Sequence, residues 1–249
     1  GGRDQGGKSD VRRLLEANEL RKPARKRKRW DALVLSACVS LRKGSSAGPC
    51  GLRREILLPM LHDREFRQLY AELVDCALSG RITCGALTNC QLALIPKPGG
   101  GARPIGMGTI LRRVAGKLAA RAAGAELRKI TEPADQYGLS ESGTVRLYHA
   151  VRTAADEGKL VVSLDVRNAF NTLSRDVIMR TVNEVPTAAQ AFCAVLYGQP
   201  TTFVAPDFSL AGRMAGGGLR LENHVLSCRH SISCAAADLE VFAGVADVP

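Results

Sequence analysis

The chain has 249 residues, 45% of them hydrophobic, enough for one large or two small globular domains with a sizeable core. The formal net charge of +11 favours polyanionic partners, nucleic acid first, and the alternative is a generic basic surface without such a partner. No apolar run reaches the ~20 residues of a membrane helix and no signal peptide is recognisable, so we expect a nuclear or cytoplasmic protein with no membrane partner.

The N-terminal 30 residues are predicted to be a basic, flexible arm, because they carry 11 Lys or Arg against 4 Asp or Glu. The chain opens on Gly1-Gly2-Arg3-Asp4, and we expect it to come from the interior of a longer reading frame. A short helix is expected over residues 10–20, with Asp10 as its N-cap. Five consecutive cations follow at residues 25–29, and they suit a nuclear import signal, a phosphate-binding arm or a solvated linker.

Apolar periodicity predicts most of the remaining elements. Helices are expected over residues 31–41, 54–61, 64–78, 109–130, 144–155, 175–184 and 187–197. The clearest is 64–78, whose apolar side chains share one face: Phe66, Leu69, Tyr70, Leu73, Val74, Ala77 and Leu78. Strands are expected over residues 91–95 and 160–166, and no period is visible beyond about residue 210.

The eight cysteines are scattered and include no CxxC pair, so we expect reduced thiols rather than a disulfide framework. A local cluster near the C-terminus raises the hypothesis of a zinc site, although its spacing matches no common zinc module. Its members are His224, Cys228, His230 and Cys234.

Two short segments carry possible chemistry. Lys97 and Arg103 flank three glycines after a strand, as in a phosphate-binding loop or a plain hairpin. Asp165 ends the apolar run 160–166, and Phe170 follows five residues later. A carboxylate at the end of a buried strand favours a hard divalent cation, whereas the alternatives are a helix N-cap for Asp165 and a core position for Phe170.

The sequences LIPKPGGGARPI at residues 94–105 and LDVRNAFN at residues 164–171 resemble the fingers and first palm motif of reverse transcriptases from non-LTR retrotransposons. Three weaker matches lie in the expected order: AGPCGL at 47–52, QYGL at 136–139 and YGQP at 197–200. The resemblance therefore covers residues 45–205.

This resemblance implies an α+β fold, the fingers and palm of a right-hand polymerase. The fingers would be helix-rich with a β-hairpin near residues 90–106, and the palm an incomplete split β-α-β unit. The chain would divide into the arm 1–30, the reverse transcriptase fingers and partial palm 31–210, and an irregular tail 211–249. A palm without its central hairpin predicts marginal stability.

The resemblance also implies roles for individual residues. Lys97 and Arg103 would hold the triphosphate of a deoxynucleoside triphosphate, and Asp165 would be a Mg²⁺ ligand and catalytic carboxylate. The carbonyl of Val166 would be a weaker ligand, and Phe170 would stack under the nucleotide sugar. The remaining predicted contacts, to phosphates of the RNA template and DNA primer, come from Arg112, Arg113 and Lys117.

Beyond residue 210 the chain departs from the family, because it has neither the Gln-Gly motif nor a pair of adjacent aspartates. The only acids there are Glu222, Asp238, Glu240 and Asp247. We therefore hypothesise a shifted reading frame or a translated intron-like sequence over 211–249, and we expect little or no polymerase activity from this chain. The alternatives are a non-catalytic nucleic-acid-binding remnant and a regulatory, host-domesticated remnant.

Overall fold

The computed structural model describes residues 7–26, 28–96, 102–166, 173–199, 201–204 and 226–227. The described chain is α+β, as predicted. Its helices are α1 Asp10–Leu20, α2 Trp30–Val39, α3 Arg54–Met60, α4 Arg64–Leu78, α5 Gly85–Thr88, α6 Ile110–Thr131, α7 Gly143–Asp156, α8 Arg175–Glu184 and α9 Gln190–Tyr197. Its strands are β1 Cys90–Pro96, β2 Ala102–Gly108, β3 Thr202–Val204 and β4 Leu226–Ser227.

One mixed sheet contains all four strands, in the order β2-β1-β3-β4. The β1–β2 pair is an antiparallel hairpin whose register runs from Cys90 opposite Gly108 to Pro96 opposite Ala102. The hairpin predicted near residues 90–106 is therefore confirmed. Strand β3 pairs in parallel with the start of β1, where Phe203 lies opposite Cys90.

The core is helical, and the long helix α6 runs through it. Its buried stripe packs against α1, α2 and α4, with α9 on a neighbouring side. The spacing of small and branched side chains lets these helices approach closely. The buried residues of α6 are Ile110, Val114, Ala115, Leu118, Ala119, Ala122 and Ala123.

Helix α1 corrects the prediction of a free arm over residues 1–30. Val11 and Leu15 are buried in the main core, so this part of the predicted arm is a packed element. The cap is also one residue earlier than expected, because the hydroxyl of Ser9, not Asp10, accepts a hydrogen bond from the Arg12 N–H at 3.1 Å.

Helix α4 has the predicted bounds, but its buried face is rotated. Leu69 and Leu73 are 70% and 43% exposed, whereas Asp75 is only 1% exposed. The Asp75 carboxylate accepts hydrogen bonds from the backbone and hydroxyl of Ser9 and pairs with Arg12 at 3.4 Å. A buried carboxylate needs such partners, and they lie on α1 and at its cap, so the polar side chain faces inward.

The strand predicted over residues 160–166 is wrong. Residues 159–166 have no regular secondary structure, and Leu160, Val162 and Leu164 are 90%, 56% and 67% exposed. A strand requires a paired neighbour for its backbone groups, and no described strand pairs with this segment. The apolar side chains of residues 160–166 have the pattern of a buried strand, but no described element covers them.

Six cysteines among the described residues are free thiols: Cys38, Cys50, Cys76, Cys84, Cys90 and Cys193. Burial raises the pKa of Cys38 to about 12, so its thiol stays protonated at neutral pH. The four residues of the zinc hypothesis lie outside the described residues. Over the described part of the chain, no helix is both long and apolar enough to cross a bilayer.

We expect Asp75→Ala to destabilise the fold strongly, because it leaves Arg12 and Ser9 without their buried partner. Breaking a buried charge pair of this kind costs about 3 kcal/mol of unfolding free energy. Glu72→Ala is the matched control, since Glu72 also pairs with Arg12 but its side chain is 59% exposed. Urea unfolding followed by circular dichroism measures both, and equal losses would contradict the structural role of Asp75.

Candidate functional site

The pairing of β1 with β2 brings the end of β1 and the start of β2 together at one end of the sheet. Arg103 is the second residue of β2, with its backbone opposite Ile95. Lys97 lies outside the described residues, one position after the end of β1. The register thus places the backbone of Arg103 at the same end of the hairpin as Pro96, the residue that precedes Lys97 in the sequence.

The base of the hairpin is fixed by Arg112, in the first turn of α6. One guanidinium nitrogen, Nη1, donates to the Thr88 carbonyl at 3.0 Å and lies 3.0 Å from the Cys90 sulfur. Gly108, the last residue of β2, has no room for a side chain, because a Cβ there would lie 2.6 Å from Cδ of Arg112. Arg112 therefore links the start of α6 to the start of β1, and its side chain packs against the end of β2.

A glycine turn packs against the same junction. Gly48 has φ +71°, and a Cβ on it would lie 2.6 Å from the Gly108 carbonyl oxygen and 3.0 Å from the Thr109 nitrogen. The turn closes with a hydrogen bond from the Gly51 N–H to the Gly48 carbonyl at 3.2 Å. Only glycine satisfies both the left-handed backbone and the close approach at position 48.

Arg113 and Lys117, two of the predicted phosphate contacts, tie α6 to the segment before that turn. Arg113 donates to the Ser46 carbonyl at 2.8 Å and the Ser45 hydroxyl at 2.7 Å, and Lys117 donates to the Ser40 carbonyl at 3.0 Å. Carbonyl and hydroxyl partners leave the positive charges uncompensated. These cations are thus held in place by internal hydrogen bonds while they still contribute a positive field.

A cleft of about 330 Å³ lies between the glycine turn and the sheet. Ser46 donates to the side-chain oxygen of Gln91 at 3.4 Å across its lining. Guanidinium, hydroxyl and amide groups beside apolar atoms suit a ligand with both polar and flat apolar parts. The lining residues are Ser46, Ala47, Gly48, Pro49, Gly51, Arg53, Gln91 and Val204.

Asp165 and Val166 lie on the exposed segment that follows α7, not on a strand. No hydrogen bond or ion pair to the Asp165 carboxylate occurs within the described ranges. Across those ranges, no group of three or more His, Cys, Asp or Glu side chains is placed to hold a metal ion. The donor set described here does not fit a two-metal site, and Phe170 lies outside the described residues.

Arg175 is a contributor that the sequence did not single out. Its guanidinium donates to the carbonyls of Tyr197 and Gln199 and to the Thr201 hydroxyl, the last at 2.7 Å. These bonds fasten the connection from α9 to β3, which pairs with β1. In the sequence it is one more cation at the start of a predicted helix, with nothing to mark its partners.

No protein-family model matches the chain, and no curated protein matches it.

We expect Gly48→Ala to destabilise the chain by about 2–4 kcal/mol, the sum of left-handed strain and a backbone clash. Gly44 and Gly51 are matched controls, with φ of +68° and +73° and nothing within 4 Å of the point that a Cβ would occupy. Their alanine variants should lose only about 1 kcal/mol, from backbone strain alone. Urea unfolding distinguishes the two groups, and three equal losses would rule out the close contact.

Proposed function

We propose that this chain is the fingers and part of the palm of an RNA-directed DNA polymerase similar to those of non-LTR retrotransposons. Its partners would be an RNA template, a DNA primer and deoxynucleoside triphosphates. The ordered motifs between residues 45 and 205 support the proposal from the sequence side.

The single observation that carries the proposal is the β1–β2 hairpin. It forms at the segment that resembles the nucleotide-binding fingers, and its register pairs Arg103 with Ile95, two residues before Lys97 in the sequence. Arg112 and the Gly48 turn brace the end of the hairpin where β1 starts and β2 ends. Arg112 is one of the predicted phosphate contacts, and Gly48 lies in the weaker match at residues 47–52. A braced hairpin fixes the backbone positions on which such cations would act, and preorganised charge is effective in stabilising developing charge.

Lys97 and Arg103 would bind the triphosphate of the incoming nucleotide. Two cations at one hairpin end can neutralise several phosphate oxygens, and Arg can do so with two parallel hydrogen bonds. In phosphoryl transfer, stabilising the charge that develops on the leaving pyrophosphate is the main task of the protein. We assign these two residues to nucleotide binding and not to proton transfer.

Mg²⁺ is the metal of the parent reaction, and Asp165 is the residue that would contribute to its site. The chain has no pair of adjacent aspartates to complete the ligand set. We therefore propose that this chain binds template, primer and nucleotide but does not extend the primer.

A second candidate is a nucleic-acid-binding protein without a nucleotide site. The exposure of Asp165 and the excess of 35 Lys or Arg over 24 Asp or Glu favour it. It differs from the first proposal in one respect: the hairpin would make no specific contact with a triphosphate.

The test is triphosphate binding to the full chain in the presence of an RNA–DNA primer–template, measured by photo-crosslinking of a deoxynucleotide analogue. Each charge-assisted hydrogen bond is worth about 1.5–3 kcal/mol. The double variant Lys97→Ala, Arg103→Ala should therefore bind at least about tenfold more weakly. The control is Arg128→Ala, Lys129→Ala, which removes the same charge from an exposed part of α6.

Equal crosslinking in parent, double variant and control would favour the second candidate. Primer extension by the unaltered chain would contradict the proposal that it binds without catalysis.

A further inference from the structure

The segment between α1 and α2, residues 21–29, is a dense run of basic residues in the sequence. Seven of its nine residues are Lys or Arg, and the other two are Pro23 and Ala24. Arg27 lies outside the described residues. We call residues 21–29 the basic segment.

Glu19, the penultimate residue of α1, holds the basic segment from inside. It is only 5% exposed, and its carboxylate accepts hydrogen bonds from Nζ of Lys22 at 2.6 Å and from the backbone N–H of Lys28 at 3.0 Å. The Lys22 bond, with help from the Lys28 N–H, holds the pKa of Glu19 below its usual value against the opposing effect of burial. One ionised carboxylate thereby joins Lys22 to Lys28 across the turn between them.

The far end of the basic segment is anchored by Trp30. This residue is 4% exposed, its indole N–H donates to the Ala71 carbonyl at 2.9 Å, and the Arg12 guanidinium lies 5.5 Å above its ring. Arg29 is also fixed, by a 3.6 Å ion pair with Asp31. The basic segment is thus fastened to the core on both sides, unlike a free arm.

Four cations of the basic segment lack a compensating carboxylate among the described residues. Arg21, Arg25, Lys26 and Lys28 are exposed, and none of their side chains forms an ion pair within the described ranges. The two carboxylates that flank the basic segment in the sequence have other partners: Glu19 as above, and Asp31 with Arg29 and with Arg67 at 3.2 Å. Arg121 on α6 lies near enough to Glu19 to lower its pKa further, and it adds one more positive charge to this side.

We propose that the basic segment is a preformed docking surface for the phosphate backbone of nucleic acid, separate from the hairpin. Closely spaced cations without partners gain most from a ligand that is itself a row of closely spaced anions. Fastening the backbone at Glu19 and Trp30 removes part of the ordering entropy that a flexible arm would lose on binding.

The side chains of the basic segment favour nucleic acid over other acidic partners. A membrane surface rewards apolar side chains that insert between lipids, and a protein partner rewards aromatic or aliphatic anchors. Pro23 and Ala24 supply neither. The proposal does not depend on nucleotide binding by the hairpin, and it holds whichever function the hairpin has.

The first experiment measures binding of the full chain to fluorescent duplex RNA, duplex DNA and an RNA–DNA hybrid over a range of salt concentrations. Each phosphate neutralised adds about 0.9 to the slope of log affinity against log salt. Arg25→Ala, Lys26→Ala should reduce that slope by about 2 and weaken binding about tenfold or more at low salt. Both side chains are exposed, so the variant should fold normally.

The matched control is Arg128→Ala, Lys129→Ala, which replaces the same pair of residue types, one Arg and one Lys, in α6. It should change the affinity by less than about twofold, because these side chains lie outside the basic segment. Equal losses in the two variants would show that only net charge matters and would overturn the proposal. So would binding of the unaltered chain to vesicles with anionic headgroups in preference to all three nucleic acids.

The second experiment uses Glu19→Ala to test whether the hydrogen bonds of Glu19 to Lys22 and Lys28 hold the basic segment in a binding-ready conformation. This change makes the chain more positive by one charge, so electrostatics alone predicts tighter binding. If the preformed frame contributes, affinity should instead fall severalfold, with unfolding by urea used to verify that the variant is folded. An affinity equal to or above that of the unaltered chain would contradict a preformed surface.

Discussion

The close approach of the Gly48 turn to the junction between β2 and α6 is the contact on which the rest of the structure depends. There is no space for even one methyl group between these backbones. Because α6 also forms the centre of the helical core, this contact fixes the hairpin relative to every helix packed on α6. Arg112 and Arg113, neighbours in the sequence, reinforce it on both sides.

This constraint divides the chain into a braced part and an uncovered part. In the braced part, hydrogen bonds of defined geometry join the hairpin and the segment before the Gly48 turn to the cations at the start of α6. The segment with Asp165 follows α7, a helix with no buried residue, and the apolar side chains of residues 160–166 are exposed. The hairpin strands are therefore braced against the helical core, whereas the described residues do not assemble a metal site.

The sequence predicted the longer helices and strand β1 well, because periodicity and Gly or Pro positions are local properties of the chain, whereas the hairpin followed from the family resemblance. It failed where the outcome depends on a distant partner. The inward orientation of the Asp75 side chain depends on Ser9, and the role of Arg112 depends on the Thr88 carbonyl, 24 residues earlier. Residues 160–166 have the composition of a buried strand, yet a strand also needs a neighbour, which local composition cannot reveal.

Hydrogen exchange measured by mass spectrometry tests this division most directly, because it reports backbone protection segment by segment. The account predicts slow exchange in β1, in the paired part of β2 and in α6, and exchange at nearly the unprotected rate in residues 159–166. Protection of residues 159–166 equal to that of β1 would mean that this segment is paired and covered, and it would contradict the account.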